Sequence, residues 1–184
     1  MQYRLTAPVT REELASLRAG DTVLLSGTVY TARDAAHKRM MEQLDAGQEL
    51  PFPVEGSALY YVGPTPERPG QVIGSAGPTT SGRMDTYSPR LLDLGQAVMI
   101  GKGARNQAVK EAVVRNGAVY LAAPGGAGAL MSACVKELEV ICWEDLGCEA
   151  VRRLVVADMP LTVILDSQGG DLYESGPAAY LSSL

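Results

Sequence analysis

The run Gly77-Pro78-Thr79-Thr80-Ser81-Gly82-Arg83-Met84-Asp85 gathers hydroxyls, one guanidinium and one carboxylate on a backbone shaped by two glycines and a proline. It is too polar to serve as core, yet an apolar, sheet-like segment (Gln71 to Ala76) leads straight into it. A helix signal follows: Asp85 or Ser88 as a cap, Pro89 in the first turn and Gly95 as the stop. A polar loop between a strand and a helix start turns backbone N–H groups and a positive dipole end outward, which suits an anion. The run reads as the floor of an anion-binding active site.

Other polar loops add Arg33, Lys102 and Arg105. Any one of these is ordinary surface charge when taken alone. Together, two arginines, a lysine and a threonine suit a small dicarboxylate, because planar guanidinium forks match carboxylates bidentately. Gly101-Lys102-Gly103 lets a lysine approach a ligand closely, although it lacks the spacing and the following Ser/Thr of a P-loop. Pro124-Gly125-Gly126-Ala127-Gly128 lacks the dinucleotide fingerprint and is equally a tight strand-to-helix turn. Asp85 reads first as a helix cap or an arginine partner. His37, the single histidine, lies one helical turn after Arg33 and reads as a capping or orienting group at least as readily as an acid or base. The chain carries no base–nucleophile pair and no cofactor motif of its own. Either it binds an anion without turnover, or another chain completes the site.

The three cysteines, Cys134, Cys142 and Cys148, fit neither a Cys-x-x-Cys knuckle nor a ferredoxin run, so no metal site is predicted on this chain. An odd count without an export signal argues against a disulfide framework. The expected compartment is the cytosol. No apolar run approaches the length of about 20 residues that spans a bilayer. A net charge of -5 argues against a nucleic-acid partner, whose phosphates reward a basic footprint.

Asp21 to Tyr30 predicts a strand bent at Gly27. Thr31 predicts the cap of a helix whose face carries Ala36, Met40, Met41 and Leu44 and which ends near Gly47. Strands follow at Ala58 to Val62, Gln71 to Ser75, Val98 to Ile100, Val119 to Ala123, Val140 to Trp143 and Leu161 to Leu165. Helices are predicted over Asn106 to Asn116 and from the Gly128 region through Lys136. Strands separated by helices imply an α/β domain with a parallel or mixed sheet and crossover connections, whose ligands sit beyond the carboxyl ends of the strands.

These segments resemble the β subunit, or C-terminal domain, of the iron–sulfur hydro-lyases that include class I fumarase and L-tartrate dehydratase. The similarity runs from Leu25 to Lys38, through Gly77 to Asp85 and Ile100 to Gly103, to Trp143-Glu144-Asp145-Leu146-Gly147 and Asp166 to Tyr173. It implies one domain over residues 1–184 with the swivelling β/β/α three-layer fold. It implies a partner α subunit holding a [4Fe–4S] cluster, with none bound by this chain, in a heterodimer or a dimer of heterodimers. The implied reaction is reversible hydration of fumarate to (S)-malate, with tartrate or mesaconate as alternative substrates. A stand-alone anion-binding module without turnover is the alternative of another class. Carried over by motif, Arg33, Arg83 and Lys102 hold the substrate carboxylates and Thr79 takes the C3 proton, with Thr80, Asp85 and His37 in supporting positions.

Overall fold

The computed structural model describes residues 1–183. Strands β1 (Gln2–Ala7), β2 (Thr22–Thr31) and β3 (Ala58–Tyr60) alternate with helices α1 (Arg11–Ala15) and α2 (Asp34–Asp45). Then come α3 (Ser88–Asp93), β4 (Val98–Gly101), α4 (Gln107–Asn116), β5 (Val119–Ala122) and α5 (Gly128–Cys134). The chain ends with β6 (Val135–Cys142), β7 (Val151–Leu165) and α6 (Leu172–Ser182), and short 3-10 turns occupy Ser81–Met84 and Glu144–Glu149.

One mixed sheet of 7 strands has the order β1-β2-β3-β4-β5-β7-β6. The pairs from β1 through β5 are parallel, and β7 is antiparallel to β2, β5 and β6. Because β7 also pairs along β2, from Thr22 opposite Thr162 to Thr31 opposite Arg152, the sheet closes on itself. Gly27, at φ +94°, takes the irregularity in that ladder; a side chain there would stand 2.2 Å from the Ala7 carbonyl oxygen of β1.

Closure produces two cores, because successive side chains on a strand point to opposite faces. Ala58, Tyr60, Val98, Ile100, Val119 and Leu121 enter one core, shared with β2 and β7. Leu59, Met99 and Tyr120 enter the other, against Ala36 and Met40 of α2, Leu91 of α3 and Val109 of α4. Strands β3 to β5 are therefore buried on both faces and read as continuous apolar runs. Truncating Met99, which is fully buried, to Ala would cost about 2–5 kcal/mol.

Several sequence expectations need correction. Gln71 to Ala76 is not a strand. Ser75 N–H donates to Thr65 Oγ1 and Thr65 N–H to the Ser75 carbonyl, so local loop bonds replace a ladder, and Val72 stays exposed. The helix expected through Lys136 stops at Cys134, because Glu137-Leu138-Glu139-Val140 alternates with period two and pairs with β7. Thr31 does not cap α2. Its hydroxyl donates to the Ala150 carbonyl and accepts from Arg152 N–H, leaving Arg33 at the cap position. Neither Asp85 nor Ser88 caps α3, where Tyr87 is the cap residue. The predicted strand Leu161 to Leu165 is only the end of β7, whose 15 residues include Pro160. Among the described residues no helix is long and apolar enough to cross a membrane.

Candidate active site

The carboxyl ends of β2, β3 and β4 lie side by side, and the polar loops leave from them. Arg33 stands two residues beyond β2, and Lys102 directly follows β4. The Gly77–Asp85 run returns to the same edge. Thr79 N–H donates to the Tyr61 carbonyl at 2.8 Å, and Ser81 N–H donates to the Lys102 carbonyl at 2.8 Å. Thr80 and Lys102 form a parallel bridge, which extends the β3–β4 edge by one rung. Gly101 makes this approach possible, since a Cβ there would stand 1.9 Å from Ser81 Oγ.

The two arginines are held by carboxylates. Arg83, half-exposed, donates from Nε to Asp34 Oδ1 at 2.8 Å. Arg33 lies 3.4 Å from Glu149 Oε1 through Nη2 and 3.8 Å from Asp34 Oδ2 through Nε. The Arg33 Nε and Asp34 Oδ2 atoms are both buried without a hydrogen-bond partner. Asp34 thus stands between two guanidiniums that would otherwise repel. Lys102 is exposed and, among the described residues, has no carboxylate within ion-pair distance.

Beneath the loop lies a polar layer built on Asp85, which is the arginine partner its sequence position suggested. Asp85 is buried and accepts from Arg105 Nε and from Asn106 N–H, each at 2.6 Å. Arg105, read from the sequence as a loop cation, is instead core. Its guanidinium is out of solvent, donates to Ser88 Oγ at 2.7 Å and lies over the rings of Tyr61 and Tyr120. The Tyr120 hydroxyl donates to the Gly103 carbonyl at 2.9 Å and sits 3.0 Å from Ser81 Oγ. It therefore ties the two site loops together from below.

His37 sits under Arg33. Both its backbone N–H and its Nδ1 lie 2.8 Å from the Arg33 carbonyl oxygen. That contact places the proton on Nδ1 and leaves Nε2 without a partner. Full burial, reinforced by the Arg105 charge, pushes the imidazole down to about 4, so it is neutral near pH 7. A neutral, buried ring with one donated bond orients the start of α2. It is not an acid–base group poised at the surface.

Arg33, Thr79, Thr80, Arg83 and Lys102 therefore share one edge, with Asp85 and His37 below it. The residues missed in the sequence are Asp34, Tyr61, Tyr120 and Glu149, while Arg105 reads there as a loop-surface cation. The buried-core pattern of Val119 to Ala122 was a signal for Tyr120, but nothing in the spacing linked Glu149 to Arg33.

This chain's donors do not fit an iron–sulfur cluster. Cys134 is buried and Cys142 is half-buried, its thiol pushed up to about 11 by burial, whereas Cys148 is exposed. Among the described residues no three His, Cys, Asp or Glu side chains are grouped closely enough to hold a metal ion.

The chain is 36% identical to an anaerobic class I fumarate hydratase of Escherichia coli, over 88% of this chain and 30% of that protein. Fumarate hydratase 2 of Leishmania major is also 36% identical, over 89% of this chain and 29% of its own length. The chain thus spans under a third of these relatives. A putative L(+)-tartrate dehydratase subunit beta of Methanocaldococcus jannaschii matches over most of both chains, at 37% identity over 95% of this chain and 92% of that one. With the strand-end loops, the Gly77–Asp85 run and a match over residues 1–176 in agreement, the chain belongs to the fumarase C-terminus family.

Proposed function

We propose that this chain is the β subunit of a class I fumarate hydratase, catalysing reversible hydration of fumarate to (S)-malate in a site shared with an α subunit. The observation that carries the reading is the single edge holding Arg33, Arg83 and Lys102 around Thr79. Three cations there suit a doubly charged, short substrate. The two cores, filled by alternate residues of the same strands and one of them lying under α2, α3 and α4, support the swivelling β/β/α three-layer description for one domain over residues 1–184. In this reading the cluster belongs to the partner, consistent with the relatives' greater length. When bound, it would supply Lewis-acid chemistry at the substrate hydroxyl. The assembly would be a heterodimer or a dimer of heterodimers, and the compartment the cytosol.

Within this chain, Arg33 and Arg83 would clamp the substrate carboxylates while Lys102 neutralises remaining charge. Thr79 Oγ, as its alkoxide, would take the C3 proton on the way from malate to fumarate and return to the neutral hydroxyl. A hydroxyl is a weak base in water, so nearby positive charge and a polar partner from the α subunit would have to stabilise its alkoxide.

The second reading is an L-tartrate dehydratase β subunit, favoured by one observation: the relative of matching length carries that name. Mesaconate is a further candidate of the same chemistry. The test is loss of fumarate absorbance under anaerobic conditions, with the chain alone and with its α partner. Activity in the mixture only supports the shared site. A cluster-loaded mixture active on tartrate or mesaconate but not fumarate changes the substrate. Inactivity on all three leaves a small-anion-binding module.

A further inference from the structure

We infer that Glu149 is a positioning residue for Arg33, supplied by the far end of the chain; this rests on the reading of Arg33 as a substrate-carboxylate clamp. The β2–β7 ladder ends at Thr31 opposite Arg152, so the segments carrying Arg33 and Glu149 leave it side by side. Glu149 then makes two contacts with the start of α2. Oε2 accepts from Ala35 N–H at 2.8 Å, and Oε1 stands 3.4 Å from Arg33 Nη2. One carboxylate thus satisfies a free amide of the first helical turn, where negative charge is favoured, and aims the neighbouring guanidinium.

The support of Glu149 is itself built. Arg152 donates to the carbonyls of Gly147, Cys148 and Ala150 at 2.8–3.0 Å, which staples the turn that carries Glu149. Gly63 closes the other side of Arg33: a Cβ there would stand 2.7 Å from Arg33 Nη1 and 3.3 Å from the Cys148 carbonyl oxygen. Arg33 is therefore held between a carboxylate and a bare backbone, with only 20% of its side chain exposed. A guanidinium on a flexible stem gains most from such fixing, because less rotamer freedom remains to be lost when substrate binds.

The test is a double-mutant cycle in the assembled enzyme, comparing wild type, Glu149→Ala, Arg33→Ala and the double variant, with Glu149→Gln as the conservative control. Glu149→Ala is expected to raise KM by roughly tenfold while kcat changes little, since the loss acts on carboxylate binding. Glu149→Gln, which keeps an acceptor for Ala35 N–H, is expected to recover part of that loss. In the Arg33→Ala background, Glu149→Ala is expected to add nothing further to KM, an outcome that a merely structural role would not produce. An unchanged KM in Glu149→Ala, or single effects that multiply in full, would overturn the inference while leaving the hydro-lyase reading intact. The same cycle read from the Kd of succinate decides Glu149 if the wild-type assembly binds dicarboxylates without turnover. A wild-type assembly that binds none overturns both.

Discussion

Arg105 donates from Nε to Asp85 Oδ1 at 2.6 Å with its side chain wholly removed from solvent. The pair is a structural support, because Asp85 ends the 3-10 turn that carries Arg83. Asp85 also accepts the N–H of Asn106, the cap residue of α4, so one carboxylate joins the loop, α4 and the buried cation. Replacing Arg105 by Ala strands a buried carboxylate and should cost about 3–5 kcal/mol of stability. Arg105→Lys should recover little, since an ammonium cannot bond Asp85 and Ser88 in the same fork. Urea unfolding of the three proteins checks this; a loss below about 1 kcal/mol for Arg105→Ala would mean that the pair barely offsets its own desolvation.

His37 gives a pH signature. Its folded-state value, about 4, is lowered from 6.5 chiefly by burial, so the unfolded chain binds the proton more readily. Its contribution is complete above the unfolded value and is lost as pH falls from 6.5 toward 4, amounting to of order 3 kcal/mol. Asp21, Asp93 and Asp145, whose carboxyls are lowered by their partners, lose stability only at more acid pH. Because the chain has one histidine, the upper window belongs to it. Unfolding free energies across this range should slope in the wild type and flatten in His37→Gln.

Local pattern made much of this architecture readable, and long-range partnership did not. The Gly27 irregularity, the helix end at Asn116 and the buried strands at Val98 and Val119 follow from residue type and period, and all are present. Gln71 to Ala76 misled because two apolar residues beside glycines fit a strand as well as a pinned loop. Most of β7 escaped because Arg152, Arg153, Asp158 and Pro160 break the apolar run; its pairing with β2 and with β6 decides the outcome. Arg105 looked like a surface cation because arginine usually is one. Only the tertiary fold supplies Asp85, Ser88 and two tyrosine rings to receive it.

Gly101→Ala tests whether the site loop needs its close seat on β4. The added methyl would meet Ser81 Oγ at 1.9 Å and Tyr61 Cδ2 at 3.0 Å. Tyr61 is fully buried and Ser81 is bound to Tyr120, so neither yields freely. Overpacking of this kind should cost about 1–3 kcal/mol and displace Thr79 to Ser81 from the strand edge. The variant should keep its circular-dichroism spectrum, unfold at lower urea concentration and show a raised KM in the assembled enzyme. Unchanged turnover would show that the Thr79 region is positioned by other contacts.

Arg83 and Thr79 separate binding from proton transfer within the proposed site. Arg83 is half-exposed and already bound to Asp34 through Nε, which leaves its other nitrogens to meet a carboxylate. Arg83→Ala should lower kcat/KM by roughly 10- to 100-fold, the worth of a charged hydrogen bond. Arg83→Lys should recover only part, because one point charge replaces a planar fork. Thr79 is anchored by its backbone to Tyr61, so Thr79→Val should leave the loop in place while removing the hydroxyl. A proton-transfer role predicts that kcat falls by at least about 100-fold with KM nearly unchanged. Steady-state kinetics in both directions of the hydration check the split. A Thr79→Val enzyme with normal kcat and raised KM would make Thr79 a binding group and require the base to come from the partner subunit.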